Sequence, residues 1–215
     1  MTCGRWSDRL TYLKMIKGIT FDLDGVYFIN GKENFIKSIT APGVPEGEAV
    51  RVFLKSDQMN REYKEGRIGD QEFWSWAIAE WGIEKTVEDM TELLISGYEI
   101  NQPVRDFVKK IRAGGCKTLV CSNNFPARVA GLQRRFKFLD DFDAAVFSYE
   151  VGATKPSEKI FKELVRRAGL KPGEIVFADD NPENLSGAEK LGITTFLFRD
   201  FDSYMCKLRE LGVDF

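Results

Sequence analysis

The rhythm of apolar and polar positions changes twice along this chain. Met15–Phe21 alternates modestly and closes in an acidic turn, which predicts a first β-strand entering a loop at Asp22. Val26–Lys32 reads as a short β-hairpin, because Asn30-Gly31 favours a two-residue primed turn. From about Phe35 to Gln102 the spacing becomes helical. Glu46–Lys64 carries Val50, Phe53, Leu54 and Met59 at helical intervals. Phe73, Trp74, Ala77, Ile78 and Trp81 make one broad apolar face over Gln71–Trp81, with Asp70 as expected N-cap and Gly82 as stop. Thr86 begins a further helix with Met90, Leu93 and Leu94 inward. No strand-like run interrupts this stretch, so it predicts a helical insertion.

Beyond Pro103, which suits the first turn of a helix ending at Gly114-Gly115, the chain alternates. Strands are expected at Lys117–Cys121, Ala144–Phe147, Glu174–Phe177 and Thr194–Phe198. Helices are expected at Pro126–Phe136, Ser157–Ala168, Pro182–Leu191 and Phe201–Leu211. Repeated βα units of this length imply a parallel sheet with helices on both faces. The expected architecture is therefore α/β: a doubly wound parallel, Rossmann-like core over residues 15–32 and 103–215, with an inserted α-helical cap domain over residues 33–102. There is no internal repeat and no low-complexity tract.

Composition narrows the function classes. A formal net charge of −2 with interleaved Lys and Glu gives no basic field, which argues against a nucleic-acid partner. The longest apolar runs are far shorter than a membrane span needs. Met1–Lys14 carries Arg and Asp without a hydrophobic stretch, so it does not read as a secretory signal, and Met15 is an alternative start. Cys3, Cys116, Cys121 and Cys206 form no Cys-x-x-Cys pair; Cys116 and Cys121 bracket a strand as small core hydrophobes, and a reducing cytoplasm is expected. The chain has no histidine, which removes Ser-His-Asp and Cys-His catalysis and His-ligated zinc from within it. Any general acid or base must then be Asp, Glu, Lys, Tyr or Cys.

Four short signatures carry the candidate chemistry: Phe21-Asp22-Leu23-Asp24-Gly25, Cys121-Ser122-Asn123-Asn124, Thr154-Lys155-Pro156 and Ala178-Asp179-Asp180-Asn181. Three of them follow an apolar β-like run. In a parallel sheet the carboxyl ends of neighbouring strands open onto one crevice, so these dispersed residues can meet. Carboxylates, one lysine and one hydroxyl suit Mg²⁺ and a phosphoryl group. Taken singly, Asp22 would be a strand end, Asp24-Gly25 a turn, Ser122-Asn123 a capping loop and Asp179-Asp180 a solvated acidic turn. Their common position after strands favours a shared site.

The order and wording of the four signatures resemble the haloacid dehalogenase-like hydrolase superfamily, most of whose members are Mg²⁺-dependent phosphatases. The resemblance runs from about Lys17 to Leu211, follows the pattern closely over Ser148–Phe198, and leaves out Thr2–Lys14. It implies that Asp22 is the nucleophile and that Asp24 donates a proton to the leaving alkoxide and then activates water, with its backbone carbonyl on the metal. It further implies Ser122, Asn123 and Lys155 at the phosphate, Asp180 as direct Mg²⁺ ligand and Asp179 assisting, with Asn184 shaping their loop. A flap beside the first strand and a cap over the crevice also follow from it. Trp74, Trp76 and Trp81 are expected mainly in the cap core, Trp76 falling off the main apolar face towards substrate or the domain interface.

The resulting expectation is a Mg²⁺-dependent phosphomonoesterase of a small phosphorylated metabolite such as a sugar phosphate, working through an aspartyl-phosphate as a cytoplasmic monomer or homodimer. Three alternatives stand beside it. Dehalogenase relatives need no Mg²⁺ and generally lack an acid at the Asp24 position. The string Asp22-Leu23-Asp24-Gly25-Val26 also resembles the β-phosphoglucomutase motif, but those relatives carry a histidine near the cap hinge. A non-catalytic phosphometabolite sensor is the third, since fold does not fix function.

Overall fold

The structure is a computed structural model that describes residues 16–41 and 43–213. Cys3, the Met1–Lys14 segment and the choice between Met1 and Met15 as start lie outside the described residues. Strand β1 (Gly18–Phe21) is wholly buried and runs into the Asp22 loop. A two-residue strand β2 (Phe28–Ile29) leads to helix α1 (Gly31–Thr40) and helix α2 (Glu46–Val50). Helices α3 (Asp70–Trp81) and α4 (Val87–Ser96) follow, then strand β3 (Glu99–Ile100).

The remaining chain alternates as expected: α5 (Gln102–Ala113), β4 (Lys117–Ser122), α6 (Pro126–Phe136), β5 (Ala144–Phe147), the single turn α7 (Ser148–Val151), α8 (Glu158–Ala168), β6 (Ile175–Asp179), α9 (Ser186–Lys190), β7 (Thr194–Leu197) and α10 (Phe201–Glu210). Five strands form one parallel sheet in the order β5-β4-β1-β6-β7. Because β1 is central, the loops leaving β1, β4 and β6 emerge side by side, which is what brings the first, second and fourth signatures together.

Strand side chains alternate between faces, and two cores result. Ile19, Phe21, Val120 and Val176 face α5 and α10, where the Phe21 ring lies 6.4 Å from Phe107 and 5.9 Å from Tyr204. Leu119, Cys121, Ile175 and Phe177 face Ile160, Phe161 and Leu164 of α8. The sheet is thus covered on both sides, as near-continuous apolar strands require. Cys121 is a buried free thiol pushed up to about 12 by burial, a core hydrophobe as expected, and Cys116 is half-buried.

The helical periodicity between β2 and β3 is realised, and four local differences from the expected elements occur along the chain. The expected hairpin at Asn30-Gly31 is absent. Asn30 does take the left-handed backbone a primed turn needs (φ 66°), but the chain then enters α1, and β2 pairs antiparallel with the distant β3. A local turn signal cannot reveal a partner some 70 residues away, and β3 is itself a strand within the stretch read as uninterrupted helix. The Glu46–Lys64 helix is broken: wider π-type turns over Arg51–Lys55 and Gln58–Tyr63 flank Ser56, which is extended and accepts from the Met59 N–H. Asp70 is the first helical residue, with Gly69 at the cap, because its carboxylate is taken by the Tyr63 hydroxyl and the Ala127 N–H. Finally, the Pro182–Leu191 helix is a 3₁₀ turn (Pro182–Asn184) followed by the short α9.

Other local readings hold. Thr86 and Asp89 form a capping box on α4, and Gly82 ends α3 in the left-handed conformation. Phe35, Phe53 and Trp74 make an aromatic cluster with centroids 4.5–6.0 Å apart, Trp81 is buried, and half-buried Trp76 leans on Phe73. Phe125, from the loop after β4, stacks on Tyr63 at 4.5 Å, so the helical insertion and the sheet share one apolar layer. No helix among the described residues is long and apolar enough to cross a membrane.

Candidate active site

Asp22 leaves β1 nearly buried, 6% exposed, and its Oδ1 accepts from the Leu23 N–H at 2.7 Å. Lys155, fully buried in side chain, places Nζ 3.0 Å from Asp22 Oδ1 and 2.5 Å from Asp179 Oδ2. Burial pushes the Asp22 carboxyl up from its ordinary value; Lys155 opposes this, Asp179 and Asp24 add to it, and a Ser122 hydroxyl hydrogen bond opposes it again. Burial would also depress the Lys155 ammonium, but Asp22 and Asp179 outweigh it and hold the cation well above the ordinary lysine value.

Asp179 is completely enclosed and well satisfied. Besides Lys155, its Oδ1 accepts from the Asn181 N–H and the Asn184 amide, each at 2.9 Å. Asn184 therefore shapes the loop by bonding Asp179 directly. Asp180 is exposed on the crevice, and its carboxyl is pushed up to about 6 by burial and by the charges of Asp22 and Asp179. Carboxylate oxygens of Asp22, Asp179 and Asp180 all lie within 4.8 Å of one another. Two Mg²⁺–O bonds in line span about 4.2 Å, so one small hard cation fits such a set after a slight closing of the carboxylates.

The Asp24 carboxylate does not join that cluster. Its Oδ2 is held by Arg128 Nη1 at 2.5 Å and by Lys32 Nζ at 3.1 Å. Burial would raise its carboxyl, but Arg128 and Lys32 outweigh burial and keep it well below the usual carboxylate range. The backbone beside it does reach the cluster. Gly25, at φ +77°, passes so close to Asp180 that an added Cβ would sit 2.2 Å from Asp180 Oδ2.

Ser122, at the end of β4, is buried, and its hydroxyl acts to lower the Asp22 carboxyl. Asn123 is placed differently from a simple phosphate contact. Its side chain spans to the Lys155 backbone, accepting the Lys155 N–H at 2.7 Å and donating to the Lys155 carbonyl at 3.3 Å. It fixes the segment that carries the ammonium.

Four residues of this region escaped the sequence reading: Lys32, Lys64, Tyr98 and Arg128. Lys64 lies near enough to be influenced by both charged groups of the site; burial, then Lys32 and Arg128, lower its ammonium to about 7, while Asp24 and Asp22 oppose. Arg128 alone had a visible signal, its place in the first turn of α6 four residues after the Ser122-Asn123-Asn124 loop, from which it reaches back to Asn124. A cleft of about 430 Å³ lies beside the cluster, lined among others by Asp24, Lys32, Glu33, Leu54 and Asp180.

The model of the haloacid dehalogenase-like hydrolase family matches residues 16–192. The chain belongs to this family. It is similar to a predicted HAD-like family hydrolase of Porphyromonas gingivalis, with 27% identity and a TM-score of 0.75 over 94% of this chain and all of that one. It is also similar to a HAD family enzyme of Bacteroides thetaiotaomicron crystallised as a magnesium complex, at 25% identity and a TM-score of 0.70 over 88% of this chain and 98% of that one. Among curated relatives, the D-ribitol-5-phosphate phosphatase of Bacteroides thetaiotaomicron is 24% identical over 188 residues, 85% of this chain and 91% of that protein. As a haloacid dehalogenase-like hydrolase, the chain has the parallel five-stranded core of its neighbours, with the signature loops at the carboxyl ends of β1, β4 and β6.

Proposed function

We propose that this hydrolase is a Mg²⁺-dependent phosphomonoesterase of a small phosphorylated metabolite, of the sugar- or polyol-phosphate kind, acting through an aspartyl-phosphate on Asp22. The observation that carries this reading is the convergence of Asp22, Asp179 and Asp180 within 4.8 Å, with Lys155 bridging the first two. Lys155 offsets part of the repulsion among these three carboxylates, a shared divalent cation would offset the rest, and an all-oxygen donor set without histidine or thiolate suits Mg²⁺. The magnesium complex of the Bacteroides neighbour and the phosphatase activity in its relative's name agree with this reading.

Asp22 and Asp180, with the Asp24 carbonyl, would hold the cation, and Asp179 would assist. Bound there, Mg²⁺ supplies charge compensation between an anionic nucleophile and a dianionic ester. The residues themselves do the rest. Asp22 attacks phosphorus, dividing hydrolysis into two easier displacements. Lys155 neutralises phosphoryl oxygen and keeps Asp22 ionised, and Ser122 offers a hydroxyl to the same anion; the expected helix-start donors are not open, since Pro126 has no N–H and Asp70 takes that of Ala127. Asp24, ionised while Arg128 and Lys32 hold it, takes up a proton before it gives one to the departing alkoxide, and it later takes one from the attacking water, a role worth about 10²–10⁴ in rate. Residues 33–102 act as the cap: Glu33 and Leu54 share the 430 Å³ cleft with Asp24 and Asp180, so closure there would shut out water and set specificity.

Inorganic phosphate release from a panel of ribitol 5-phosphate, glyceraldehyde 3-phosphate, other sugar phosphates and p-nitrophenyl phosphate tests the proposal. Release should need Mg²⁺, stop with EDTA, and vanish in Asp22→Asn while the protein stays folded. If EDTA-treated protein turned over a 2-haloacid and released phosphate from no ester, the dehalogenase reading would replace this one.

A further inference from the structure

Arg128 is 1% exposed, and its guanidinium joins three separate parts of the chain. Nη1 donates to Asp24 Oδ2 and, at 3.0 Å, to the Tyr98 hydroxyl. Nε donates to Asn124 Oδ1 at 2.6 Å and Nη2 to the Asn123 carbonyl at 3.0 Å. The Phe125 ring lies 4.7 Å beneath the same group. The fork therefore takes its geometry from the loop after β4 and imposes it on Asp24. The Tyr98 hydroxyl accepts from the same Nη1 that donates to Asp24, so the guanidinium links the two side chains.

Tyr98 belongs to the connection by which the inserted helices return to the core, between α4 and β3. The outgoing connection crosses it there. A Cβ on Gly31 would lie 2.2 Å from the Tyr98 ring, and one on Gly97 would lie 3.2 Å from the Gly31 carbonyl. Asn34 of α1 ties the two together by donating to the Gly97 carbonyl at 3.0 Å. The Tyr98 ring is thus packed against the outgoing connection while its hydroxyl is held by Arg128, the partner of Asp24.

We propose that Arg128 and Tyr98 are positioning residues for Asp24, which couple the orientation of its carboxylate to the seating of the inserted helices. Arg128 sets the carboxylate against the sheet, and Tyr98 reports where the helices are. The bland alternative is a buried arginine that merely neutralises a buried aspartate. That role would need one contact to Asp24 and none to the connection. The proposal rests on the acid–base role given to Asp24 above.

The variants are Tyr98→Phe, which removes one hydroxyl and keeps the ring over Gly31, then Arg128→Met and Arg128→Lys. Rates are measured with p-nitrophenyl phosphate, whose leaving group needs little proton help, and with the alkyl ester of the panel that the wild type turns over fastest. In Tyr98→Phe, kcat for the alkyl ester should fall at least tenfold more than kcat for the aryl ester, with KM changing less than about twofold. Arg128→Met should widen the gap, and Arg128→Lys should recover part of it. Equal losses on both esters, following the loss of melting temperature, would reduce both residues to structural ones and overturn the proposal. A wild type that releases phosphate from neither ester would refute the phosphatase reading, and the coupling is then decided by crystallography. The Asp24 carboxylate must change rotamer or lose order in Tyr98→Phe; an Asp24 unmoved in that crystal would overturn the proposal by itself.

Discussion

Lys155 Nζ stands 2.5 Å from Asp179 Oδ2, and neither side chain is exposed to solvent. Because the same ammonium is 3.0 Å from Asp22 Oδ1, one cation balances two buried carboxylates at the centre of the site. Removing one member of such a set strands the others in a medium that cannot solvate them.

Lys155→Met should therefore lose stability by about 3–5 kcal/mol as well as activity. Adding Asp179→Asn to that variant should restore part of the loss, because one stranded charge is gone. Urea unfolding of the two single variants and the double variant checks this; additive losses would show that the two residues do not interact.

Gly25→Ala meets two obstacles at once, a φ of +77° and a carboxylate oxygen 2.2 Å from the new methyl. Strained backbone of this kind costs on the order of 1–3 kcal/mol. The displaced Asp180 should also raise the Mg²⁺ concentration that gives half-maximal phosphate release. Unchanged Mg²⁺ dependence would mean that Asp180 is not a ligand.

Asp180→Ala should behave oppositely with and without metal. The raised Asp180 carboxyl, about 6 in the fold, means that the folded chain binds the proton more tightly than the unfolded one. Stability from this group is thus lost as pH rises from about 4 to about 6, and the penalty stands in full above that. In EDTA at pH 8 the variant should melt above the wild type. In saturating Mg²⁺ the order should reverse, which a thermal melt with both additions reads directly.

Lys64 gives a second pH signature with the other sign. Its ammonium is lowered to about 7, so between about 7 and the ordinary lysine value the unfolded chain holds a proton that the folded chain has lost. Folding stability then rises with pH across that window, by at most about 1.4 kcal/mol per unit. Lys64→Met lacks this slope. Its advantage over the wild type should be largest near pH 6 and shrink towards pH 10 in parallel denaturant titrations.

The cap boundaries and the two small strands show where local signals stop. The alternation from Gln102 onwards gives nearly every element of the sheet, because buried parallel strands and amphipathic helices write their periods into each short window. Asn30-Gly31 is the counterexample. The left-handed residue is there as a primed turn demands, yet β2 finds its partner at Glu99–Ile100. Asp70 likewise has the chemistry of a cap but spends it on Tyr63 and Ala127.

What the sequence by itself determined was the parallel α/β class, the helical insertion and the identity of Asp22, Asp24, Ser122, Lys155, Asp179 and Asp180 as the residues to watch. Each is a property of a short segment read against the strand or helix it follows. What only the tertiary structure decided was how those segments share charge. Lys155 serves two carboxylates, Asn123 holds the Lys155 backbone, and Asp24 is held away from the acidic cluster by Arg128 and Lys32. Electrostatics and hydrogen bonding depend on distance in space, and residues such as Asp24 and Arg128, 104 positions apart, carry no local mark of their meeting.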